Sequence, residues 1–389
     1  MVKLSSRITR LESPIRDILT RAKELEKEGK KLYPLNVGDP NKFDFDSPPH
    51  VKQAYIDAIN NIPTKSSSYS SSEGDEELRE EIAKTEKVSK DDVLITMGVS
   101  EGLMQVFASL LENSDNVLMP SPSYPPYIFL HGIFSTAYSF YETDLNWQPD
   151  LGIIRKKITE HTKAIILNNP NNPTGAVYSE KVLREIFNIA GEHKIPVISD
   201  EIYSGIEFDK KTKRACDIAK DVECVTMNGF SKVYLCTGYR IGYLAFRNLD
   251  PLKGSVIKLC RNRLSMNHPV QKAMLAALRG PKDYINETVK KLRERRDLIY
   301  KRLSQINGLE VVKPEGAFYT FPKITGGPWK TDKEFVYDLL EETGIISVFG
   351  KGCSPVLKDK HFRLIYLAQK EVLNEAMDKL EAFMTKRLS

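Results

Sequence analysis

The sequence has few cysteines and no long apolar run. Its five cysteines form no CxxC pair and show no zinc-ligand spacing, so the sequence predicts no metal site of that kind. Their odd number also argues against a disulfide framework, and we therefore expect a protein of the reducing cytoplasm. No stretch approaches the roughly 20 consecutive apolar residues of a membrane helix. No apolar run follows the charged first residues, as one would in a signal peptide.

A strong charge of either sign is also missing. Lys and Arg total 57 against 52 Asp and Glu, which gives a formal charge of +5 over 389 residues. This mild balance does not favour a nucleic-acid-binding protein, although it suits substrates that carry carboxylates. The composition, 41% hydrophobic and 28% charged, is typical of a globular protein with a buried core.

Short apolar runs alternate with longer amphipathic runs from about residue 76 onward. The short runs predict strands and the long runs predict helices. Their alternation indicates a three-layer α/β large domain, with a mostly parallel sheet between two layers of helices. Such sheets bind ligands at the carboxyl ends of their strands. The predicted strands are 93–97, 116–119, 137–141, 163–167, 196–199, 224–227 and 241–246, and the predicted helices are 101–111, 124–134, 151–158 and 180–193.

The pattern changes after about residue 305, where an α+β lobe is predicted. The long charged run at 283–303 predicts a helix with a solvated face, and this helix could connect the lobe to the large domain. The lobe has predicted strands at 309–313, 318–321 and 362–366 and predicted helices at 333–342 and 370–386.

The first residues predict an arm with an amphipathic helix, in which Ile15, Ile18 and Leu25 share one face. We expect this arm to pack with the C-terminal lobe, which makes the small domain discontinuous. The predicted division is an arm with part of the small domain at 1–45, a large domain at 46–285 and a C-terminal small domain at 286–389.

A lysine and an arginine lie close together after the predicted strand at 224–227. Lys232 ends the motif Asn228-Gly-Phe-Ser-Lys232, and Arg240 follows between two glycines. An amine among small residues can form a Schiff base with a carbonyl compound. An arginine fork can hold a phosphate or a carboxylate by two parallel hydrogen bonds. A carbonyl compound that carries a phosphate describes pyridoxal phosphate (PLP).

Three polar side chains on neighbouring loops suit the ring of such a cofactor. Asp200 directly follows a buried strand, where a carboxylate is costly unless it is paired. A pyridinium N–H would be such a partner, and a helix cap is an equal alternative. Tyr203, three residues later, could reach the ring hydroxyl. Asn172 lies in a turn rich in Asn and Pro and could donate to the same oxygen, although an ordinary turn explains the pattern as well.

Three further motifs supply a phosphate site, a ring contact and a substrate contact. Gly98-Val-Ser100 joins a strand to a helix, and N–H groups at a helix N-terminus bind phosphate; Ser100 could instead be a plain N-cap. Tyr124, held between prolines, could stack on a pyridine or belong to the core. Arg363 in a predicted strand suits a carboxylate, although an isolated arginine more often forms a surface ion pair.

In this joint order the motifs resemble those of the fold type I, class I and II PLP-dependent aminotransferases. The resemblance covers about residues 33 to 380, and the Asn-Gly-Phe-Ser-Lys form is similar to the alanine aminotransferase branch. It rests on Tyr69 with Gly74 and Glu77-Leu-Arg79, Gly98-Val-Ser100, Asn171-Asn-Pro-Thr-Gly175, Ser199-Asp-Glu-Ile-Tyr203, Ser231-Lys232 with Gly238 to Gly242, Gly316-Ala-Phe-Tyr319 and Arg363.

The resemblance implies a role for each of these side chains. Lys232 would carry the cofactor as a Schiff base and move the substrate Cα proton, and Asp200 would pair with the pyridine nitrogen. Tyr69 would reach the phosphate of a neighbouring subunit, so the active site would belong to a homodimer. The remaining implied contacts are Asn172 and Tyr203 to the ring hydroxyl, Val99, Ser100 and Arg240 around the phosphate, Tyr124 on the ring, Ser231 at the cofactor, and Gly38, Asn172 and Arg363 at the substrate.

Two departures from the family pattern concern the phosphate and the substrate. Gly229 stands where many members carry a phosphate-binding serine, and 347–353 replaces the usual Pro-Gly turn near the substrate. The resemblance implies ping-pong transfer of an amino group, with alanine and 2-oxoglutarate as the leading substrates. Aspartate or aromatic amino acids are alternatives, and so is a PLP-dependent C–S lyase. A PLP-sensing transcription regulator is disfavoured, because too few residues precede Pro34 for a DNA-binding module.

Overall fold

The computed structural model describes residues 2, 5, 7, 11, 13–60 and 67–389. Most of the first 12 residues of the predicted arm, and residues 61–66, lie outside the described residues. The helices are α1 Ile18–Lys27, α2 Pro49–Asn60, α3 Glu76–Glu86, α4 Gly98–Leu110, α5 Pro125–Phe134, α6 Leu151–Lys157, α7 Glu180–His193, α8 Ala215–Ile218, α9 Asp250–Arg263, α10 His268–Arg279, α11 Asp283–Leu303, α12 Asp332–Thr343 and α13 Lys370–Leu388. The strands are β1 Tyr33–Pro34, β2 Val93–Thr96, β3 Asn116–Ser121, β4 Ala137–Glu142, β5 Thr162–Asn168, β6 Val197–Asp200, β7 Cys224–Gly229, β8 Gly242–Arg247, β9 Leu309–Glu310, β10 Tyr319–Thr320, β11 Lys323–Ile324, β12 Ile345–Ile346, β13 Val348–Phe349 and β14 Phe362–Ile365.

A seven-stranded sheet forms the centre of the molecule, in the order β2-β8-β7-β6-β5-β3-β4. Neighbouring strands of this sheet are parallel, except that β8 runs antiparallel to both β7 and β2. Apolar side chains from both faces of the sheet pack into separate cores, one with α4, α5 and α9 and another with α7. The structure therefore confirms the predicted α/β fold with a mostly parallel sheet.

The register of the central strands brings polar residues to one edge of the sheet. Asn168 at the end of β5 pairs with Asp200 at the end of β6, and Asp200 pairs with Met227 in β7. The loop after β7 then carries Ser231 and Lys232 past the same edge. Because these strands are parallel, their carboxyl ends meet at one place, as the alternation of strands and helices predicts.

A further core joins the arm to the last third of the chain. Ile18 and Leu25 of α1 are buried together with side chains of α11, α12 and α13, and β1 pairs in parallel with β12. The predicted arm helix begins later than expected, at Ile18, because Ile15 lies in a turn in which the Arg16 N–H donates to the Ser13 carbonyl at 2.8 Å. The division at 1–45, 46–285 and 286–389 stays a prediction.

Several predicted strands of the C-terminal lobe are shorter than expected. Only Tyr319 and Thr320 of the stretch 318–321 pair with β14, and the stretch 309–313 keeps only two strand residues, which pair with β11. Short ladders of this kind depend on partners distant in sequence, which local patterns do not reveal. Among the helices of the described residues, none is long and apolar enough to cross a membrane.

Candidate active site

A cavity of about 730 Å³ opens at the carboxyl ends of β5, β6 and β7, between the central sheet and the C-terminal lobe. It brings together nearly all the side chains that the sequence predicts for the site. The predicted residues that line it are Gly38, Val99, Ser100, Tyr124, Asn172, Asp200, Tyr203, Ser231, Lys232, Arg240 and Arg363. Tyr69 is the exception, since it lies outside this cavity on a loop and is 79% exposed.

Lys232 presents its amine to the cavity from the loop after β7. Its Nζ donates a hydrogen bond to the Gly38 carbonyl at 2.5 Å. Burial lowers the pKa of Lys232 to about 8; Asp39 opposes this change, while the positive charges of Arg240 and Arg363 add to it. The neutral amine, which both a nucleophile and a proton acceptor require, is therefore a minor form near neutral pH but far more abundant than in an ordinary lysine.

Asp200 is a buried carboxylate at the end of β6, only 2% exposed. The hydroxyl of Tyr127 donates to its Oδ2 at 2.6 Å, and the N–H of Ile202 donates to its Oδ1 at 3.2 Å. Burial raises the pKa of Asp200 to about 6, although both hydrogen bonds favour the ionised form. A carboxylate held in this way can pair with a protonated ring nitrogen.

Four side chains form a continuous hydrogen-bonded chain along the cavity wall. Arg363 donates to Oδ1 of Asn172 at 2.8 Å and to the carbonyl of Asn36 at 2.6 Å. The amide of Asn172 reaches the Tyr203 hydroxyl at 3.4 Å, and this hydroxyl lies 2.7 Å from that of Tyr319. Arg363 is only 1% exposed, so the alternative of a surface ion pair is wrong.

Sequence reasoning assigned no site role to Tyr127, Tyr319 or Asn36. Tyr319 lies beneath the guanidinium of Arg363, with its ring centroid 4.8 Å from Cζ. A Cβ on Gly38 would lie 2.2 Å from the Tyr319 hydroxyl, so this close approach requires glycine. Tyr319 is the last residue of the Gly316-Ala-Phe-Tyr319 motif, which could have identified it as a site residue. The signal for Tyr127 was its position one helical turn after Tyr124.

Two glycines allow the start of α4 to approach Arg240 closely. A Cβ on Gly98 would lie 2.5 Å from Nη2 of Arg240, and a Cβ on Gly242 would lie 2.7 Å from the carbonyl carbon of Gly98. The backbone of Arg240 is itself left-handed, with φ of 55°. The N-cap of α4 is Met97, whose side chain makes no capping bond, so Ser100 is not the N-cap. N–H groups at this helix start, beside a guanidinium, make an anion site.

The structure gives a steric reason for glycine at position 229. Gly229 in β7 pairs with Gly242 in β8. A Cβ on Gly229 would lie 2.9 Å from both the Cα of Gly242 and the carbonyl oxygen of Ile241. A serine there would collide with the neighbouring strand. The Ser231 hydroxyl is instead near the anion site, 3.5 Å from Nη1 of Arg240.

These groups together fit the parts of PLP. The cavity offers an amine for its aldehyde, a buried acid for its ring nitrogen and hydroxyl and amide groups for its ring oxygen. The helix start with Arg240 suits its phosphate. Tyr124 adds an aromatic ring that is half-buried and packs edge-on against Tyr127, with centroids 5.5 Å apart. Arg363 also lines this cavity, and its planar guanidinium suits a carboxylate.

Comparisons with known proteins agree with this arrangement. Residues 30–380 match the family described as aminotransferase class I and II. The chain is 35% identical over 383 residues to the glutamate-pyruvate aminotransferase AlaA of Haemophilus influenzae, covering 94% of this chain and 93% of that relative.

Solved structures extend the likeness to the whole fold. The alanine aminotransferase from Pyrococcus furiosus superposes with a TM-score of 0.95 and 47% identity, covering 99% of this chain and 100% of that one. The aspartate aminotransferase from Thermus thermophilus with maleate superposes with a TM-score of 0.88 and 29% identity, covering 98% of this chain and 100% of that one.

Proposed function

The chain belongs to the class I and II aminotransferases, which depend on PLP, and we propose that it transfers the amino group of alanine to 2-oxoglutarate in a ping-pong reaction. The observation that carries this proposal is the meeting, in one cavity, of the Lys232 amine, the buried Asp200 carboxylate, the Arg240 anion site and Arg363. The names of the H. influenzae and P. furiosus relatives support alanine as one substrate.

Each residue of the cavity has a distinct task in this proposal. Bound PLP supplies an aldehyde for amines and a protonated ring that withdraws electrons from the substrate Cα. Lys232 would hold the cofactor, and its Nζ would accept and return the substrate Cα proton. Asp200 keeps the proton on the ring nitrogen, and Arg363 binds the substrate α-carboxylate. The other proposed contacts are Asn172 and Tyr203 at the ring oxygen, Val99, Ser100, Ser231 and Arg240 at the phosphate, Tyr124 on the ring, and Gly38 and Asn172 at the substrate.

Replacement of the lysine tests the core of the proposal. Lys232→Ala should lose the visible absorbance of bound PLP, the trapping of PLP by borohydride and the transfer of amino groups. Lys301→Ala is the matched control, since Lys301 is exposed on α11, and it should keep all three properties. Undiminished transfer by Lys232→Ala would contradict the assignment.

The substrate is tested separately from the chemistry. A panel of amino donors with 2-oxoglutarate should give the highest kcat/KM for alanine. Aspartate is the second candidate, because the T. thermophilus neighbour is an aspartate aminotransferase. Aromatic donors and cystathionine complete the panel, and release of a thiol from cystathionine would favour a C–S lyase.

We also propose a homodimer with shared active sites. The first supporting feature is the exposure of two large side chains, since Tyr69 is 79% exposed and Met97 is 51% exposed. The second is another cavity, of about 690 Å³, which Arg240 lines together with the first cavity. A partner seated there would cover the anion site and could bring its own Tyr69 to the phosphate.

The free cysteines support a cytoplasmic location, which is likewise part of the proposal.

Mixing of two inactive variants tests the shared site. Tyr69→Ala and Lys232→Ala chains, unfolded and refolded together, should form hybrids in which one site has an intact lysine and an intact Tyr69 from the other chain. Activity should then exceed that of Tyr69→Ala alone. Hybrids without any gain would mean that Tyr69 does not act across subunits.

A further inference from the structure

One cation of the cavity has no task in the proposed function. The charged residues that line the cavity are Asp39 and Asp200 on the acidic side, and Arg16, Lys232, Arg240 and Arg363 on the basic side. Lys232 and Arg240 are committed to the cofactor, and Arg363 to the α-carboxylate. Arg16 is left over, and it comes from the arm rather than from the sheet.

Arg16 differs from Arg363 in its surroundings. Arg363 is buried and donates to two oxygens of the protein. Arg16 is exposed, and among the described residues its guanidinium forms no ion pair or hydrogen bond. Its charge nevertheless acts inside the site. Burial raises the pKa of the Tyr124 hydroxyl, and the positive charges of Arg363, Arg240 and Arg16 oppose this rise.

The backbone that carries Arg16 is fixed to the site. The Asn36 amide donates to the Ile15 carbonyl at 3.0 Å, and the Asn36 carbonyl accepts from Arg363 at 2.6 Å. Asn36 therefore connects the backbone beside one arginine to the side chain of the other. Pro14 is buried against a loop of the C-terminal lobe, where a Cβ on Gly352 would lie 2.4 Å from it.

The turn around Arg16 is also closed by its own hydrogen bonds. The Ser13 N–H donates to Oδ2 of Asp17 at 2.7 Å, and the Asp17 N–H donates to the Ser13 carbonyl at 2.9 Å. The segment is thus ordered by the protein, while the guanidinium that it carries has no partner in the part of the chain that the structure describes. A positioned, unpaired arginine at the edge of a binding cavity is suited to an anionic group of a ligand.

We propose that Arg16 binds the side-chain carboxylate of dicarboxylic substrates, glutamate and 2-oxoglutarate. The proposal rests on the proposed function, because it assumes that Arg363 takes the α-carboxylate and Arg240 the phosphate. The second carboxylate pairs with the remaining cation of the cavity. Alanine and pyruvate have no such group, so Arg16 distinguishes the two substrates of the ping-pong cycle within one site.

The test compares Arg16→Gln with Lys23→Gln, which removes the same charge from an exposed position on the same arm. Each half-reaction is followed alone by the absorbance of the cofactor, with glutamate or with alanine. The ratio of kcat/KM for glutamate to that for alanine should fall roughly 10- to 100-fold in Arg16→Gln, the worth of one charge-assisted contact. Lys23→Gln should keep the ratio, and Arg16→Lys should restore part of it.

Binding of an unreactive diacid supplies a second readout. The Kd of glutarate, measured by its effect on the cofactor spectrum or by calorimetry, should rise roughly 10- to 100-fold in Arg16→Gln, while that of propionate should change less than about threefold. Equal losses for both acids, or for both amino substrates, would overturn the role of Arg16. Failure of the unaltered protein to transaminate alanine and glutamate would instead overturn the proposed function, and the glutarate measurement would still test Arg16.

Discussion

The inner wall of the cavity and its mouth differ in how far the protein satisfies its own polar groups. On the inner wall, Asn172, Tyr203, Tyr319 and Arg363 are buried and joined by hydrogen bonds, and the buried Asp200 accepts a bond from Tyr127. The mouth of the cavity consists of Arg16, Ser100 and Arg240. These three side chains are exposed and have few protein partners.

This difference teaches which part of the site is organised before a ligand binds. The inner wall fixes the position of Arg363 by the hydrogen bonds that Arg363 donates to Asn172 and to the Asn36 carbonyl. The mouth presents charge whose partners must come from cofactor, substrate or a second subunit. Substitutions on the inner wall should therefore affect every substrate alike, and substitutions at the mouth should affect one ligand group at a time.

The largest effect is expected from Arg363→Lys. A lysine keeps the charge but loses the planar fork, so both the substrate carboxylate and the bond to Asn172 lose their geometry. The kcat/KM should fall roughly 100- to 1,000-fold for alanine and glutamate to the same extent, with little change in PLP affinity. Steady-state kinetics and a PLP titration check this. Losses that differ strongly between the two substrates would break the distinction between wall and mouth.

A smaller and more selective effect is expected from Gly242→Ala. The added methyl would lie 2.7 Å from the carbonyl carbon of Gly98 and 2.8 Å from the nitrogen of Val99, so the start of α4, which forms part of the anion site, must shift away from position 242. Overpacking of this kind costs about 1–3 kcal/mol, and PLP affinity should fall roughly 10- to 100-fold.

Gly254→Ala is the control for this glycine, since a Cβ on Gly254 meets no atom within 4 Å. Gly254 lies within α9, so its alanine variant should be as stable as the parent or more stable by up to about 1 kcal/mol. PLP titration and urea unfolding of both variants separate the two effects. Unchanged PLP affinity in Gly242→Ala would show that the helix start does not hold the phosphate.

A third substitution, Tyr127→Phe, sharpens the role of hydrogen bonds on the inner wall. The Tyr127 bond favours ionised Asp200, so its loss should raise the pKa of Asp200 further and weaken its hold on the ring proton. We expect kcat to fall roughly tenfold, the worth of one hydrogen bond to a charged group. The pH profile of kcat should move its acid limb to higher pH. An unchanged profile would mean that the bond only positions the carboxylate.

The sequence predicts the sheet and the edge where the site lies, because both follow from local patterns. The apolar runs before Asn168, Asp200 and Asn228 end where polar side chains begin, and parallel strands bring these ends together. Lys232 and Arg240 can be identified as site residues because an amine and a guanidinium stand out among the small residues around them.

The rest of the site depends on contacts between distant parts of the chain. Tyr127 acquires its role through Asp200, 73 residues away, and Asn36 through Arg363, 327 residues away. Gly229 reads as a missing serine until the register with Gly242 shows that a side chain has no room there. Such pairings are tertiary, and no periodicity in one segment can reveal them.

The smallest expected effect is on the pKa of Lys232, which charges of both the inner wall and the mouth change. With its pKa lowered to about 8 by burial, the amine is mostly protonated below that pH and neutral above it. Uptake of PLP by the cofactor-free protein should therefore accelerate about tenfold per pH unit up to about pH 8 and then level off. Asp39 raises this pKa, while Arg363 and Arg240 lower it. The midpoint should move down in Asp39→Asn, up in Arg363→Gln, and stay in place in Arg363→Lys, which keeps the charge, each shift being roughly half a pH unit. A midpoint near 10 in the unaltered protein would mean that the cavity does not desolvate the amine. Shifts of the same sign in Asp39→Asn and Arg363→Gln would mean that neighbouring charges do not determine the pKa of Lys232.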